Sequence, residues 1–184
     1  GKFARNITVL AGGAAMGQVI TVLVSPILTR IYTPEDFGVF GVYASILGIV
    51  TAVASLRYEY ALPLPEKDDD AANILILCFL LLLIITFLTS MVIYSLGDRI
   101  VIWTNVPRLS SYLWLVPLGV FGAGIYQILN YWAVRKRNFT RIAQTKISRG
   151  VVRATLQVGV GFMYPGPLGL LLGQFAGEVA GSIS

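Results

Sequence analysis

Hydrophobic and polar positions divide the chain into long apolar stretches separated by short charged segments. Four stretches carry no charged residue and reach the length of about 20 residues that a membrane-spanning helix needs: residues 6–29, 37–56, 71–96 and 109–134. The pattern therefore predicts four membrane-spanning helices before residue 135. We expect the second helix to continue to residue 62, past the charges of Arg57 and Glu59.

The last part of the chain can be divided in two ways around Pro165-Gly166-Pro167, a strong turn signal. One interpretation is a single kinked span over residues 154–177, which gives five spans in all. The other is a fifth span over residues 142–163 and a sixth that begins at residue 168 and is cut off at Ser184. We favour six spans, because the turn falls where two spans would need it, and interpret the chain as a fragment of a longer protein.

Composition supports a membrane protein. Charged residues make up 12% of the chain and hydrophobic residues 56%, with a mean hydropathy of +0.76, whereas soluble domains carry about 25% charged residues. The expected fold class is all-α, a polytopic transmembrane helix bundle. The net charge of +5 does not indicate nucleic-acid binding, because the basic residues lie near the ends of apolar stretches instead of forming a dense basic surface.

The distribution of Lys and Arg predicts the orientation of the chain, because cytoplasmic loops are enriched in these residues. A cytoplasmic N-terminus leaves only Arg30, Arg99 and Arg108 outside. It places the larger basic set inside: Lys2, Arg5, Lys67, Arg135, Lys136, Arg137, Arg141 and Lys146. We therefore expect a multi-pass membrane protein with its N-terminus in the cytoplasm.

The residue types speak against an enzyme. Histidine is absent and Cys78 is the single cysteine, which leaves no disulfide within the chain and no Cys-rich metal site. No Ser/His/Asp set, zinc-protease motif or phosphate-binding loop occurs, so we expect neither catalysis nor a cofactor. Three consecutive aspartates, residues 68–70, are interpreted as a solvated loop and not as part of a prenyl-phosphate transferase.

A basic stripe in the fifth predicted span is the best candidate for a binding site. Lys146, Arg149, Arg153 and Gln157 are spaced three, four and four residues apart, which places them on one face of a helix. A guanidinium group can donate two parallel hydrogen bonds to the oxygens of one phosphate, so the stripe suits an anionic lipid headgroup. The alternative is a basic helix end that lies on anionic membrane lipids.

Other polar residues in the spans are further candidates, because charges inside a membrane are costly and often functional. Arg57 could face a central cavity and bind phosphate, or extend to the membrane surface. Glu178 and Glu59 are candidate ion-coupling residues, since a carboxylate within a span needs a partner or a proton. Three polar residues could line the substrate path or bond between helices instead: Gln18, Gln127 and Asn130.

Several segments also resemble a known family. Residues 26–38, PILTRIYTPEDFG, look like the first outer loop of polysaccharide flippases, the O-antigen and exopolysaccharide exporters of the MOP (multidrug/oligosaccharidyl-lipid/polysaccharide) superfamily. Residues 40–43 and 57–63 fit the second span of the same family, and the basic loop with Asn138-Phe139 is similar too. The resemblance extends over the whole chain in order and spacing.

The resemblance implies the N-terminal lobe of a transporter with two six-helix lobes around a central cavity. Such proteins move undecaprenyl-pyrophosphate-linked oligosaccharide repeat units to the outer leaflet by alternating access, for lipopolysaccharide biosynthesis. Membrane lipids, a polysaccharide polymerase and the chain-length machinery are the implied partners. By position, Arg57 matches the charged second-span segment of the family, whereas Arg149 and Arg153 are assigned from helical spacing alone.

Other functions remain open at this point. A multidrug exporter of the same superfamily would favour acidic cavity residues for cationic drugs, and a lipid II flippase fits the outer-loop motif less well. A subunit of a membrane glycosyl polymerase or acyltransferase would carry catalytic His, Asp or Arg in sizeable outer loops, but here those loops are short. A purely structural membrane subunit is the remaining alternative.

Overall fold

The computed structural model describes residues 2–54, 56–65, 67–136 and 138–183, and this part of the chain is helical without any strand. Its α-helices are α1 (Lys2–Ile31), α2 (Pro34–Thr51), α3 (Asp68–Thr104), α4 (Leu115–Arg135), α5 (Phe139–Met163) and α6 (Leu168–Ile183). Two short 3-10 helices, Tyr58–Ala61 and Pro107–Tyr112, precede α3 and α4. The expected all-helical fold is confirmed. Arg137, Ser184 and the side chains of Lys2 and Arg5 lie outside the described residues.

Two helices are long and apolar enough to cross a membrane, judged by length and composition. They are residues Ala11–Ile31 of α1 and the whole of α3, Asp68–Thr104. Both expose most of their apolar side chains, which is what a helix surrounded by lipid requires. That the six helices cross a membrane stays a prediction.

The start of α2 is fixed by its local sequence. The Thr33 hydroxyl accepts a hydrogen bond from the Asp36 backbone N–H at 3.3 Å, and the Asp36 carboxylate accepts one from the Thr33 N–H at 3.0 Å. This capping box satisfies two donors that a helix end leaves unpaired, and Pro34 is suited to the first turn. Arg108 then lies 3.5 Å from buried Asp36 and ties the second 3-10 helix to this end of α2.

The expectation that the second helix continues to residue 62 is wrong. α2 ends at Thr51, residues 52–54 and 56–57 form turns, and the 3-10 helix Tyr58–Ala61 follows. The physical reason lies in Leu56 and Arg57, which have positive φ angles of 49° and 63°. An α-helix cannot continue through two left-handed residues, so Arg57 and Glu59 belong to a turn at the end of the bundle.

The C-terminal region forms two helices and not one kinked helix. α5 ends at Met163, and α6 begins at Leu168 after Pro165-Gly166-Pro167. Gly166 has a φ of +128°, a conformation that residues with a Cβ rarely adopt. The turn lets α6 run back along α5, which brings the polar residues of both helices together.

Helix α4 lies at the centre of the core. Its buried face, which includes Val116, Val120 and Ile128, packs in one cluster with Tyr43 of α2 and Leu82 of α3. Small residues on α4 allow this close approach, since a Cβ at position 119 or 124 would collide with one of those two side chains. The core thus positions α4 against α2, α3 and α6.

Helix α1 is joined to the bundle mainly along α5. Gly13 lies against Ala143, and Gly17 against the backbone of Lys146 and Gly150. The opposite face of α1 is exposed, with Leu23 69% accessible. Small residues therefore carry the contact between these two helices, as they often do in membrane proteins.

Arg135 joins the end of α4 to the segment before α3, and we expect its loss to loosen that segment. Its guanidinium donates to the backbone oxygens of Leu62, Pro65 and Lys67 and to the Asp68 carboxylate. The side chain is only 8% exposed. The substitution R135A leaves several acceptors unpaired and should cost about 2 kcal/mol of stability.

Limited proteolysis of residues 62–68 would measure this effect, with faster cleavage expected in R135A. The matched control is K136A, which loses one hydrogen bond of 2.9 Å between its ammonium group and the Asp68 carboxylate at an exposed position. Equal cleavage rates in the two variants would contradict the proposed role of Arg135.

Candidate functional site

The polar stripe of α5 lies along a row of glycines on α6. Gly173, Gly177 and Gly181 recur every fourth residue and therefore share one face of the helix. A Cβ at position 177 would lie 3.1 Å from the Arg153 Cβ and 3.2 Å from the Arg149 backbone oxygen. The absence of side chains on this face of α6 lets the long side chains of α5 fit between the two helices.

Arg149 and Glu178 form an ion pair across this contact. The guanidinium donates to the Glu178 carboxylate, and Gln174 donates to the same carboxylate oxygen from 3.1 Å. The Glu178 side chain is 4% exposed, whereas that of Arg149 is 31% exposed. The Arg149 guanidinium also lies 4.8 Å from the centre of the Tyr126 ring, whose electron-rich face attracts a cation.

The pair lines an open cavity of about 400 Å³ between α2, α4, α5 and α6. We call it the polar cavity. Its wall combines apolar residues of α2 with these polar or charged side chains: Thr51, Tyr126, Gln127, Asn130, Tyr131, Arg149, Gln174 and Glu178. With a rise of 1.5 Å per residue, Arg149 lies about 15 Å along α5 from Phe139, or half the thickness of the apolar core of a bilayer.

A second buried carboxylate lies next to this cavity. Glu59 is 1% exposed, and Gln127 donates to it with a distance of 2.6 Å between Nε2 and Oε1. The sequence patterns named both residues without relating them. The structure joins them because the turn after α2 folds back against α4.

The other predicted site residues lie outside the polar cavity. Arg153 is one turn further along α5, 5.6 Å from the Phe40 ring. Gln157 is buried and donates to the Leu170 backbone oxygen at 3.2 Å, while its own backbone oxygen accepts from Tyr32. Gln18 is exposed on α1, and Arg57 is exposed beside Tyr60.

Two features of the site were not identified from the sequence. Tyr126 stacks against Arg149, and a lone tyrosine in an apolar helix gives no signal for that role. The glycine row of α6 had a signal, since small residues at every fourth position indicate a close helix contact.

The arrangement suits the binding of a ligand more than the making or breaking of covalent bonds. It presents one cation whose charge is balanced by a buried carboxylate, with amide groups nearby. Within the described ranges, no cluster of His, Cys, Asp or Glu could hold a metal ion. A ligand with negative charge and hydrogen-bonding groups would find both kinds of partner in the polar cavity.

Two apolar helices long enough to cross a membrane, together with polar residues that line a cavity inside the bundle, suit a membrane protein. Comparison with known families identifies the particular group. The chain belongs to the polysaccharide biosynthesis protein family, whose profile matches residues 27–183. No curated protein and no solved structure matches the chain. The resemblance seen in the sequence is thus confirmed at the level of the family, and the protein has a role in polysaccharide biosynthesis.

Proposed function

We propose that this protein translocates lipid-linked oligosaccharides across the bacterial inner membrane, and that the chain forms one six-helix lobe of a MOP-type transporter. The observation that carries the proposal is Arg149, a cation held in the polar cavity by a buried carboxylate. A lipid-linked sugar has a polar head and an anionic phosphate linkage. Its passage needs a polar, positively charged route through the bilayer, because an isolated anion in hydrocarbon is very costly.

The unequal distribution of basic residues between the two ends of the bundle supports the proposed orientation. Arg135, Lys136 and Arg141 lie where α4 ends and α5 begins, and Arg108 lies at the other end beside α2. The excess of basic residues at the first end fits a cytoplasmic location under the positive-inside rule. In this arrangement the N-terminus is cytoplasmic and the chain acts as a transporter, without a cofactor or an enzymatic step of its own.

The charge of the cavity distinguishes this proposal from the alternatives. Glu178 is 4% exposed and engaged by Arg149 and Gln174, whereas Arg149 is 31% exposed, so a cargo in the cavity reaches the cation of the pair and not the carboxylate. A glycosyl polymerase would need reactive groups in outer loops, but the described outer connections are short: residues 32–33, 105–114 and 164–167. A transporter for an anionic lipid-linked cargo therefore fits the described residues best.

The location of accumulated intermediates tests the proposal. In a deletion strain, lipid-linked repeat units should accumulate in the cytoplasmic leaflet of the inner membrane. A strain without a polymerase would instead accumulate them in the outer leaflet, unpolymerised. Protection from an added glycosidase in spheroplasts distinguishes the two leaflets.

Complementation of that strain assigns the role of the cation. We expect R149A to reduce surface polysaccharide at least about tenfold, and R149K to restore part of it, because an ammonium keeps the charge but loses the bidentate fork. The matched control is R99A, which removes an exposed arginine from α3 and should leave export unchanged. Normal export by R149A at normal membrane abundance would overturn the proposal.

A further inference from the structure

A second cavity of about 260 Å³ lies at the end of the bundle where α4 ends and α5 begins. We call it the rim pocket. It is smaller than sites for drug-sized ligands, which measure about 300–1,000 Å³, and so suits a ligand about the size of one sugar ring. Tyr126 and Asn130 line both the rim pocket and the polar cavity, so the two are neighbours along α4.

The charged residues of the rim pocket are both basic. Lys136 and Arg141 line it, and none of its described lining residues is acidic. The Lys136 ammonium lies 5.3 Å from the centre of the Trp132 ring, also part of the wall, and bonds Asp68 outside the pocket. An anionic group at the pocket mouth would therefore meet two cations.

The uncharged polar groups of the rim pocket offer acceptors. The hydroxyl of Thr145 donates to the Ile142 backbone oxygen at 2.9 Å, and that of Ser182 to the Glu178 backbone oxygen at 3.0 Å. Their hydrogens are thus engaged, and lone pairs remain. The Asn130 side-chain oxygen is buried without a hydrogen-bond partner among the described residues. A ligand that donates several hydroxyl hydrogens would satisfy these oxygens.

We propose that the rim pocket binds a glycosyl phosphate, with sugar hydroxyls at Asn130, Thr145 and Ser182 and the phosphate at Lys136 and Arg141. The two cations are exposed, whereas Thr145 and the Asn130 side-chain oxygen are buried, so the pocket offers cations near solvent for the phosphate and buried acceptors for the sugar. The identification of this ligand as the end of the lipid-linked cargo rests on the proposed function. The pocket then binds the cargo at the cytoplasmic end of the bundle. Asn130, which lines both cavities, lies where the cargo passes from the rim pocket into the polar cavity.

The test is calorimetric titration of the intact protein in phosphatidylcholine nanodiscs with glucose 1-phosphate, inorganic phosphate and glucose. Glucose 1-phosphate should bind at least about tenfold more tightly than either other probe, because only it meets both halves of the pocket. T145V removes one acceptor at nearly constant volume, and R141Q removes one cation. Each should weaken binding about fivefold or more, as the loss of one hydrogen bond does.

Two matched variants control for general effects. T89V replaces another nearly buried threonine that donates to its own helix, on α3 and away from both cavities. R99Q replaces an exposed arginine of α3. Both should bind glucose 1-phosphate like the unmodified protein.

Three results would overturn the inference. Equal affinity for inorganic phosphate, with no effect of T145V, would show a nonspecific cation patch. Loss of binding when nanodiscs contain phosphatidylglycerol, again without an effect of T145V, would show that the pocket holds a lipid headgroup. Normal polysaccharide export by variants that have lost binding would place the pocket off the cargo route, while the proposed function, which is tested at Arg149, would still stand.

Discussion

Replacing Arg149 alone is expected to lower both stability and export, whereas replacing Arg149 and Glu178 together should restore stability without restoring export. In R149M the Glu178 carboxylate stays buried with Gln174 as a remaining partner. An uncompensated buried charge costs about 3–5 kcal/mol. We expect about 3 kcal/mol here, because the pair borders an open cavity.

The opposite single variant should be milder. In E178L the arginine keeps its position against Tyr126 and its side chain is 31% exposed, so water can solvate the charge. A loss of about 1 kcal/mol is expected, as for partly exposed ion pairs. The double variant R149M/E178L removes both charges and should approach the stability of the unmodified protein, because apolar replacements of buried ion pairs are often neutral.

Thermal stability in detergent and surface polysaccharide in the complemented strain measure the two effects separately. Recovery of stability without export would show that the Arg149 charge acts in transport and not only in folding. Normal export by the double variant would exclude the pair from the cargo route. Additive losses of stability, with the double variant the least stable, would contradict direct coupling of the two side chains.

Adding a side chain at Gly13 is expected to displace α1 from α5, while the same change at Gly12 should be tolerated. A Cβ at position 13 would lie 2.6 Å from the Ala143 Cβ and 2.7 Å from its Cα. Backbone atoms cannot move aside as a flexible side chain can, so G13L must separate the helices. Overpacking of this kind costs about 1–3 kcal/mol.

The neighbouring glycine is a matched control. Nothing lies within 4 Å of a Cβ built at Gly12. G12L also removes a glycine from the interior of α1, which favours the helix by up to about 1 kcal/mol. Membrane abundance and melting temperature should therefore fall in G13L and stay level or rise in G12L. Equal effects of the two substitutions would contradict the described α1–α5 contact.

The chain's hydrophobic pattern was enough to predict the helices, because a long charge-free stretch has few other stable conformations in a membrane. It placed α1 within four residues at each end and favoured a break at Pro165-Gly166-Pro167, but it ended the third helix eight residues before Thr104 and began the fourth six residues before Leu115. It failed after Thr51, where apolar composition continues but Leu56 and Arg57 take left-handed conformations. The hydrophobicity of a segment indicates whether its side chains avoid water, but it does not indicate the backbone conformation, so it does not reveal such a turn.

The sequence by itself also named some of the residues that line the polar cavity, Gln127, Asn130, Arg149 and Glu178, because charged and amide side chains are rare in apolar stretches. Helical spacing related Arg149 to Arg153 and Gln157, but only along their own helix. The tertiary structure decided which of them face the polar cavity, because that depends on the neighbouring helix. The glycine row of α6 and the position of α4 bring Arg149 to Glu178 and Gln127 to Glu59, and they leave Gln157 in a structural contact with α6.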